Sequence, residues 1–353
     1  MRRIGFLLLV LLAAWLPGMP AAAADKDVLP PGVEFPLRVR VALRVLNVLK
    51  IAEVAGQGSL YVEVTQRWTD PRLRFDGVAA GFARFDRVGE DADAYLKTIW
   101  TPGLTVDNQI GSPTSRTAAV STYANGDVVL IERYEGNFRF QMNLDAFPFD
   151  TQDLTLSFSL PRYATQDALL VATEADRQLS GIDNRLAVVD WSVERLHFEN
   201  EEAMGWNARS YSRLDATLTL TRLSERYLLR IFIPILAVLA VSLFVLWSPG
   251  LNEKDKGGLI FSSLLALAAL SFTFESSFPG SISLNTPVAQ IISLGYLYLV
   301  AVLLIEAVLS MGINNGQARL HVFCVEMRRQ VKWAVPAMMI VVCLGAAVRA
   351  IPV

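Results

Sequence analysis

The sequence is poor in the residues that usually hold small exported domains together or bind transition metals. It contains two cysteines, Cys324 and Cys343, and both lie in the apolar C-terminal part of the chain. An exported domain would therefore have no disulfide framework and would depend on its own hydrophobic core. The two histidines, His197 and His321, lie far apart in the sequence, which argues against a histidine-based metal site.

An excess of charge of either sign is also absent. The chain has 32 basic and 34 acidic residues and a formal net charge of -2, so it offers no basic surface for nucleic acid. The exported part of the sequence has no nucleophile-and-base motif, phosphate-binding loop or metal-ligand spacing, so it predicts neither an enzyme nor a cofactor. Hydrophobic residues, in contrast, make up 53% of the chain, with a mean hydropathy of +0.37, which indicates a membrane protein.

The first residues have the three parts of a secretory signal peptide. Arg2 and Arg3 precede the apolar run Ile4 to Leu16, and small residues end at Ala24. We therefore predict a signal peptide over residues 1–24, with export of the region that follows. A retained N-terminal anchor is the alternative, but the apolar run is shorter than the roughly 20 residues that a membrane span needs.

Residues 25–226 are predicted to form an extracellular, all-β sandwich of the immunoglobulin-like kind. Short runs with alternating apolar and polar residues are separated by turn residues, and Asn125-Gly126-Asp127 is a hairpin signal between two of them. Several such runs without intervening helical patterns indicate an antiparallel sandwich. The predicted strands are Leu37–Val48, Leu60–Trp68, Ala118–Tyr123, Val128–Tyr134, Phe138–Leu144, Leu154–Leu160, Trp191–Phe198 and Leu214–Thr221.

Residues 227–353 are predicted to form a transmembrane four-helix bundle. Apolar spans fall at about 228–247, 258–278, 287–311 and 332–350, each close to the roughly 20 residues that cross a bilayer. With the exported domain outside, two of the connecting segments are cytoplasmic, and they carry the basic residues that the positive-inside rule requires there. These residues are Lys254, Lys256, Arg319, Arg328, Arg329 and Lys332.

The second span has a stripe of residues that is typical of a pore. Its members recur at steps of three and four and so share one helix face, with a hydroxyl near the inner end, an apolar middle and a carboxylate at each mouth. Close helix packing is the alternative reading of small and hydroxyl-bearing residues in a membrane helix. The stripe consists of Asp255, Gly258, Ser262, Leu265, Ala269, Phe272 and Glu275, or Ser276 at the outer end.

One copy of this helix cannot enclose a water path, because the helices of one subunit pack against each other. Several subunits around an axis would turn each stripe residue into a ring. We expect Leu265 to belong to the closed constriction. Asp255 and Glu275 favour cations such as Na⁺ and K⁺, although Lys254 and Lys256 flank Asp255 and leave mixed signs at the inner mouth.

Several motifs resemble those of the Cys-loop receptor superfamily. The segment Phe140–Leu154, with Phe147-Pro148-Phe149-Asp150 at its centre, is similar to the signature loop, and its first and last residues stand where animal members have cysteines, as in prokaryotic members. Trp68-Thr69-Asp70 and Trp100-Thr101-Pro102 match two further motifs. The resemblance covers nearly all of the mature chain and implies a prokaryotic pentameric ligand-gated ion channel: a homopentamer in the bacterial inner membrane, among lipids, with its N-terminal domain outside.

The resemblance also implies a coupling site where the last strand meets the first span. Glu53, in the turn after the first long strand, and Pro148 and Asp150, in the signature loop, would approach Arg222. Two carboxylates and a guanidinium at a domain junction form an interaction that re-packs between two states. The alternative is a static ion network that only ties the two domains together.

The resemblance transfers less well to the ligand site, which lies between neighbouring extracellular domains in the family. Two positions of the aromatic box of animal members are Asp107 and Pro161 here, which argues against an amine cage. The agonist is either a small molecule or a proton, since carboxylates shift their protonation with environment. The candidate ligand-binding residues are Glu63, Asp107, Arg133, Tyr163, Trp206 and Tyr211.

Two other functions compete with a channel. A membrane-anchored extracellular sensor without a pore would have no ordered stripe with charged ends in any span. A transporter would usually show internal repeats and interrupted spans with polar groups at the membrane midplane, and the sequence shows neither.

Overall fold

The computed structural model describes residues 26–183, 190–205, 208–248, 250–277, 286–314 and 317–350. The predicted signal peptide and the candidate ligand residue Trp206 lie outside these ranges. Within them, the chain forms a β-rich part up to Arg222 and a helical part that begins at Glu225.

Two sheets face each other in the β-rich part. The larger sheet has the strand order β3-β5-β6-β2-β1-β8, with β9 also on β1, and the smaller sheet has the order β10-β11-β7-β4. Apart from the short parallel pairs of β1 with β8 and β9, neighbouring strands are antiparallel. The strands are β1 Leu37–Ala52, β2 Gln57–Thr69, β3 Arg84–Val88, β4 Thr105–Val106, β5 Gln109–Tyr123, β6 Asp127–Arg139, β7 Thr151–Ser159, β8 Ala168–Val171, β9 Gly181–Ile182, β10 Trp191–Met204 and β11 Ser210–Arg222.

The core of the sandwich follows from alternation along the strands. In β2, Leu60, Val62 and Val64 are buried and face the smaller sheet, while the residues between them point away from it. Trp68 and Trp100 pack edge to face with ring centroids 6.1 Å apart. Short helices lie at the edges: α1 Gly77–Ala80, α2 Glu90–Leu96 and α3 Glu174–Leu179.

The prediction of a strand over Phe138–Leu144 is wrong for most of that segment. Strand β6 ends at Arg139, and the chain then runs as a loop to Asp150. Phe140 is buried without belonging to a strand. It donates its backbone N–H to Gly56 O at 2.7 Å, and its ring packs beside Phe138. Gly56 has φ +59°, and a Cβ there would lie 2.6 Å from Phe140 O, so this contact requires glycine.

The helical part contains α4 Glu225–Trp247, α5 Glu253–Ser277, α6 Pro287–Asn314 and α7 Ala318–Ala350. A π-helical turn at Leu228–Phe232 opens the first membrane segment. In the described ranges, α4, α5 and α6 are long and apolar enough to cross a membrane. Helix α7 begins well before the span predicted at 332–350 and contains Pro336, and that fourth span stays a prediction.

Close approach holds the helices together. A Cβ at Gly295 of α6 would lie 3.2 Å from Leu267 of α5 and 3.3 Å from Leu239 of α4, so this small residue lets three helices meet. One residue of the sandwich, Phe147, belongs to the same buried cluster as these helices. The loop after β6 thus reaches into the helical part.

Candidate functional site

Arg222, the last residue of β11, lies at the centre of the junction between sandwich and helices. Its side chain has no exposure to solvent. Its Nε donates to Asp150 Oδ1 at 2.6 Å and its Nη2 donates to Asp150 Oδ2 at 3.0 Å, which makes a two-pronged ion pair. Its backbone N–H also donates to Asp150 O at 3.1 Å. Strand β11 and the loop after β6 are therefore joined by both backbone and side chain.

The third nitrogen of the guanidinium reaches two further segments. Nη1 of Arg222 donates to Glu53 Oε1 at 2.8 Å and to the hydroxyl of Tyr227 at 3.1 Å. Glu53 lies in the turn between β1 and β2, and Tyr227 lies in the first turn of α4. One side chain thus contacts the β1–β2 turn, the signature loop and the start of the first membrane helix.

Aromatic rings surround this guanidinium. Its carbon lies 4.1 Å from the ring centroid of Trp191, 4.8 Å from that of Phe147 and 5.4 Å from that of Tyr227. Burial alone would favour the neutral form, but the hydrogen bonds and charges of Asp150 and Glu53 outweigh burial and raise the pKa of Arg222. The charge of Arg222 is therefore fixed, and any change at the junction must come from its partners.

Hydrogen bonds and aromatic packing hold the signature loop in place. Gln152 donates from Nε2 to Asp150 Oδ2 and to Asn143 O, each at 2.6 Å. Pro148 is buried at the tip of the loop, beside Phe147, whose ring meets Tyr227 edge to face at 5.4 Å. The structure thus brings Glu53, Asp150 and Arg222 into direct contact and places Pro148 next to the helices.

The predicted stripe of α5 is exposed along its whole length. Leu265 is 69% exposed and Phe272 is 73% exposed, values that are high for large apolar side chains. The buried residues of α5 lie on the opposite side of the helix: Lys256, Ile260, Ser263, Leu267 and Phe274. The exposed stripe comprises Asp255, Gly258, Ser262, Leu265, Ala269, Phe272 and Glu275.

Two of the candidate ligand residues form a charged ladder on the outward face of the larger sheet. Glu63 of β2 accepts from Arg133 Nε of β6 at 2.5 Å and lies 3.4 Å from Arg44 Nη1 of β1. The three residues are direct neighbours in the strand register. Glu63 is buried beneath these two arginines, so its charge is already compensated within the subunit.

The other described candidates lie with the smaller sheet. Asp107 accepts a hydrogen bond from Ser159 Oγ at 2.5 Å and lines a cleft of about 830 Å³ with Arg213 and Asp215. The hydroxyl of Tyr163 accepts from Trp100 Nε1 at 2.8 Å, and Tyr211 is 9% exposed. The polar contacts of Asp107 and Tyr163 thus run to Ser159 and Trp100 and not to the Glu63–Arg133 pair.

A comparison with known families decides the identity of the fold. The model of the neurotransmitter-gated ion-channel ligand binding domain matches residues 24–224, more than half of the chain. The chain belongs to the pentameric ligand-gated ion channel family. In this family the β-rich part is the extracellular ligand-binding domain, and the family comprises channels and not enzymes.

Similar members of the pentameric ligand-gated ion channel family come from bacteria and animals. The proton-gated ion channel of Gloeobacter violaceus is 23% identical over 82% of this chain and 78% of its own length. The glutamate-gated chloride channel and the pH-sensitive chloride channel 2 of Drosophila melanogaster are 24% and 26% identical, each over 73% of this chain. The chain spans about half the length of the two Drosophila relatives, 56% and 50%.

Sequence reasoning on this member of the family missed the aromatic part of the junction. Trp191 and Tyr227 both contact the Arg222 guanidinium, yet neither was among the predicted junction residues. A signal was available for Trp191, because it opens β10 opposite Arg222 in the strand register. For Tyr227 no specific signal was available. It stands at the start of an apolar span, where aromatic residues are common in any membrane protein.

Proposed function

We propose that this chain forms a homopentameric, cation-selective channel in a bacterial plasma membrane, opened by a small extracellular ligand or by protons. The observation that carries the proposal is the exposed stripe of α5. Seven residues with a carboxylate near each end are exposed, while the opposite side of the same helix is packed. When copies of such a helix surround a water-filled axis, the stripe faces the water and the opposite side packs against the other helices.

The apolar part of the stripe supports gating. Leu265, Ala269 and Phe272 follow Ser262 toward the outer end, and rings of apolar side chains close a pore by excluding water. The carboxylates support selection of Na⁺ and K⁺, because rings of Asp and Glu attract cations. Since two of the relatives are named as chloride channels, the cation preference rests on Asp255 and Glu275 of this chain alone.

The junction supports transmission of a stimulus. A ligand or a proton that alters the extracellular domain would act on the β1–β2 turn and the signature loop, and both contact Arg222. Tyr227 carries that contact to the first membrane helix. A shared guanidinium whose partners lie on different segments is suited to switch between two packed arrangements. The named agonists of the relatives, protons and glutamate, fit the two stimulus classes proposed here.

Current measurement on purified protein in lipid bilayers tests the proposal. External pH is swept under a sodium chloride gradient, and amines, amino acids and divalent cations are then applied. We expect a stimulus-dependent current that reverses near the sodium potential, while reversal near the chloride potential would overturn the cation preference. Silence of both the wild type and Leu265→Ser, with intact pentamers, would favour a membrane-anchored sensor without a pore.

A further inference from the structure

An ion triad with a buried Lys256–Glu306 pair links the helices at the end remote from the sandwich, apart from both the junction and the exposed stripe. Lys256 near the start of α5 lies 3.3 Å from Glu306 Oε2 of α6, and Arg328 Nη2 of α7 lies 2.7 Å from the same oxygen. Lys256 and Glu306 are 7% and 6% exposed. The hydrogen-bond partners of the Glu306 carboxylate in the described part of the chain are thus both cations.

The position of Lys256 in the sequence makes this triad relevant to the proposed pore. Lys256 directly follows Asp255, which is exposed on the stripe. Successive residues of a helix are about 100° apart, so the ammonium and the carboxylate leave the helix in different directions. A lysine side chain is long and flexible enough to return toward water at a helix end if nothing holds it.

We propose that Glu306 is a positioning residue for ion selectivity: it binds the Lys256 ammonium and so keeps that positive charge away from the Asp255 end of the pore stripe. This inference rests on the proposed channel function. It explains how a mouth whose sequence reads Lys-Asp-Lys still favours cations, because one of the two lysines is compensated by a carboxylate outside the pore helix.

The energetics require such a partner. A buried lysine without a counter-ion destabilises the fold, so loss of Glu306 would favour conformers in which Lys256 reaches water. In the proposed pentamer the inner mouth offers such water, because Lys256 directly follows Asp255 on the stripe. Arg328 of α7 binds the same Glu306 oxygen at 2.7 Å and so holds the carboxylate in place from a third helix.

Reversal potentials of full-length channels test this role. We expect Glu306→Gln to raise the chloride-to-sodium permeability ratio several-fold and Glu306→Asp to retain the wild-type ratio. Lys256→Gln alone should leave selectivity unchanged, and the double variant Glu306→Gln/Lys256→Gln should restore it. A Glu306→Gln channel with the wild-type reversal potential, or a double variant as altered as the single one, would overturn the proposal.

A second measurement needs no current. Purified protein is treated with an amine-reactive reagent, and modification is read by peptide mass spectrometry, with the exposed neighbour Lys254 as internal control. We expect Lys256 to be protected in the wild type and modified in Glu306→Gln, and equal modification in both would refute the contact. If the wild type and Leu265→Ser are both silent as intact pentamers, the proposed function fails, while the labelling result still shows whether Glu306 holds Lys256.

Discussion

Arg222 joins more of the molecule than any other side chain at the junction. Without exposure to solvent, it binds Asp150 and Glu53, donates to Tyr227 and stacks against Trp191. Breaking one partner of a buried ion pair costs about 3–5 kcal/mol, because the remaining charge is left uncompensated. Loss of one of these contacts at the junction would therefore disturb the others.

We expect Arg222→Gln to assemble but to lose most stimulus-evoked current. Glutamine keeps an amide donor, yet it cannot hold Asp150 with two prongs and reach Glu53 at the same time. Pentamer yield by size-exclusion chromatography and current in bilayers are measured together. Arg226→Gln is the matched control, because Arg226 is exposed and its ion pair with Asp190, at 3.2 Å, lies in contact with solvent. Loss of assembly in Arg222→Gln would instead indicate a static ion network.

Asp176 gives the extracellular domain a defined dependence on pH. It is buried at the start of α3, where Arg40 binds both of its oxygens at 2.9 Å and Thr173 caps the helix with it. Burial opposes its ionisation, but the hydrogen bonds from Arg40 and Thr173 prevail and lower its pKa. Its contribution is therefore complete above the unfolded-state pKa of about 3.9 and is lost as pH falls through the lower folded-state value.

We expect Asp176→Asn to lower the free energy of unfolding by about 1.5–3 kcal/mol at neutral pH, the range for hydrogen bonds to a charged group. Below pH ~4 the difference from the wild type should shrink, since the carboxyl of the unfolded wild-type chain then takes up a proton before the folded one does. Thermal unfolding of the full-length protein in detergent between pH 7 and pH 3 measures both effects. Asp93→Asn, which affects a more exposed pair with Arg116, should change little. A pH-independent difference would contradict this assignment.

Residues of the junction show how far the sequence alone reaches. Glu53, Asp150 and Arg222 were predicted to meet from the resemblance, and their contacts are present. Their meeting could not be derived from spacing, because Glu53 and Arg222 are 169 residues apart in the chain. The partners of Glu306, Lys256 and Arg328, also depend on the packing of three helices, which no spacing in the sequence shows.

Helix α5 is the element on which the proposed gate depends. We expect Leu265→Ser to leak or to open at weaker stimuli, because a polar ring lowers the cost of wetting an apolar constriction. The same substitution at Leu264, which is half-buried and off the stripe, is the control and should affect stability more than opening. Open probability at rest, recorded in bilayers, distinguishes the two. Equal closure of Leu265→Ser and wild-type channels would contradict the placement of the gate.

Elements with strong periodicity were predictable and the loop between β6 and β7 was not. In the sequences of strands such as β2 and β11, apolar residues recur at every second position because one face is in the core. Phe140 and Met142 imitate that alternation in a segment without strand pairing, since Phe140 is buried in the sandwich core and Met142 packs against that core. Alternation of apolar residues in a sequence indicates which residues are buried, and a buried loop can show the same alternation as a buried strand.

At the scale of the whole molecule, the change of composition after Arg226 predicted a β-rich part followed by a helical part, and the structure has this division. The sequence did not predict the parallel pairing of β1 with β8 and β9, because such short partners carry little pattern of their own. It also gave no sign that Phe147 packs among the membrane helices. That contact depends on how the two parts dock, which no local pattern encodes.

The docking of Phe147 has a practical consequence for work with the ligand-binding domain in isolation. A soluble fragment that ends at Arg222 would lack Tyr227 and would turn the Phe147 ring, now 1% exposed, toward water. Such a fragment would tend to self-associate through the exposed Phe147 ring. Its Arg222 would also lack the hydrogen bond to Tyr227 that it makes in the whole chain. A polar residue at position 147 and a new acceptor for Arg222 Nη1 are the first changes to make before crystallising it or screening ligands against it.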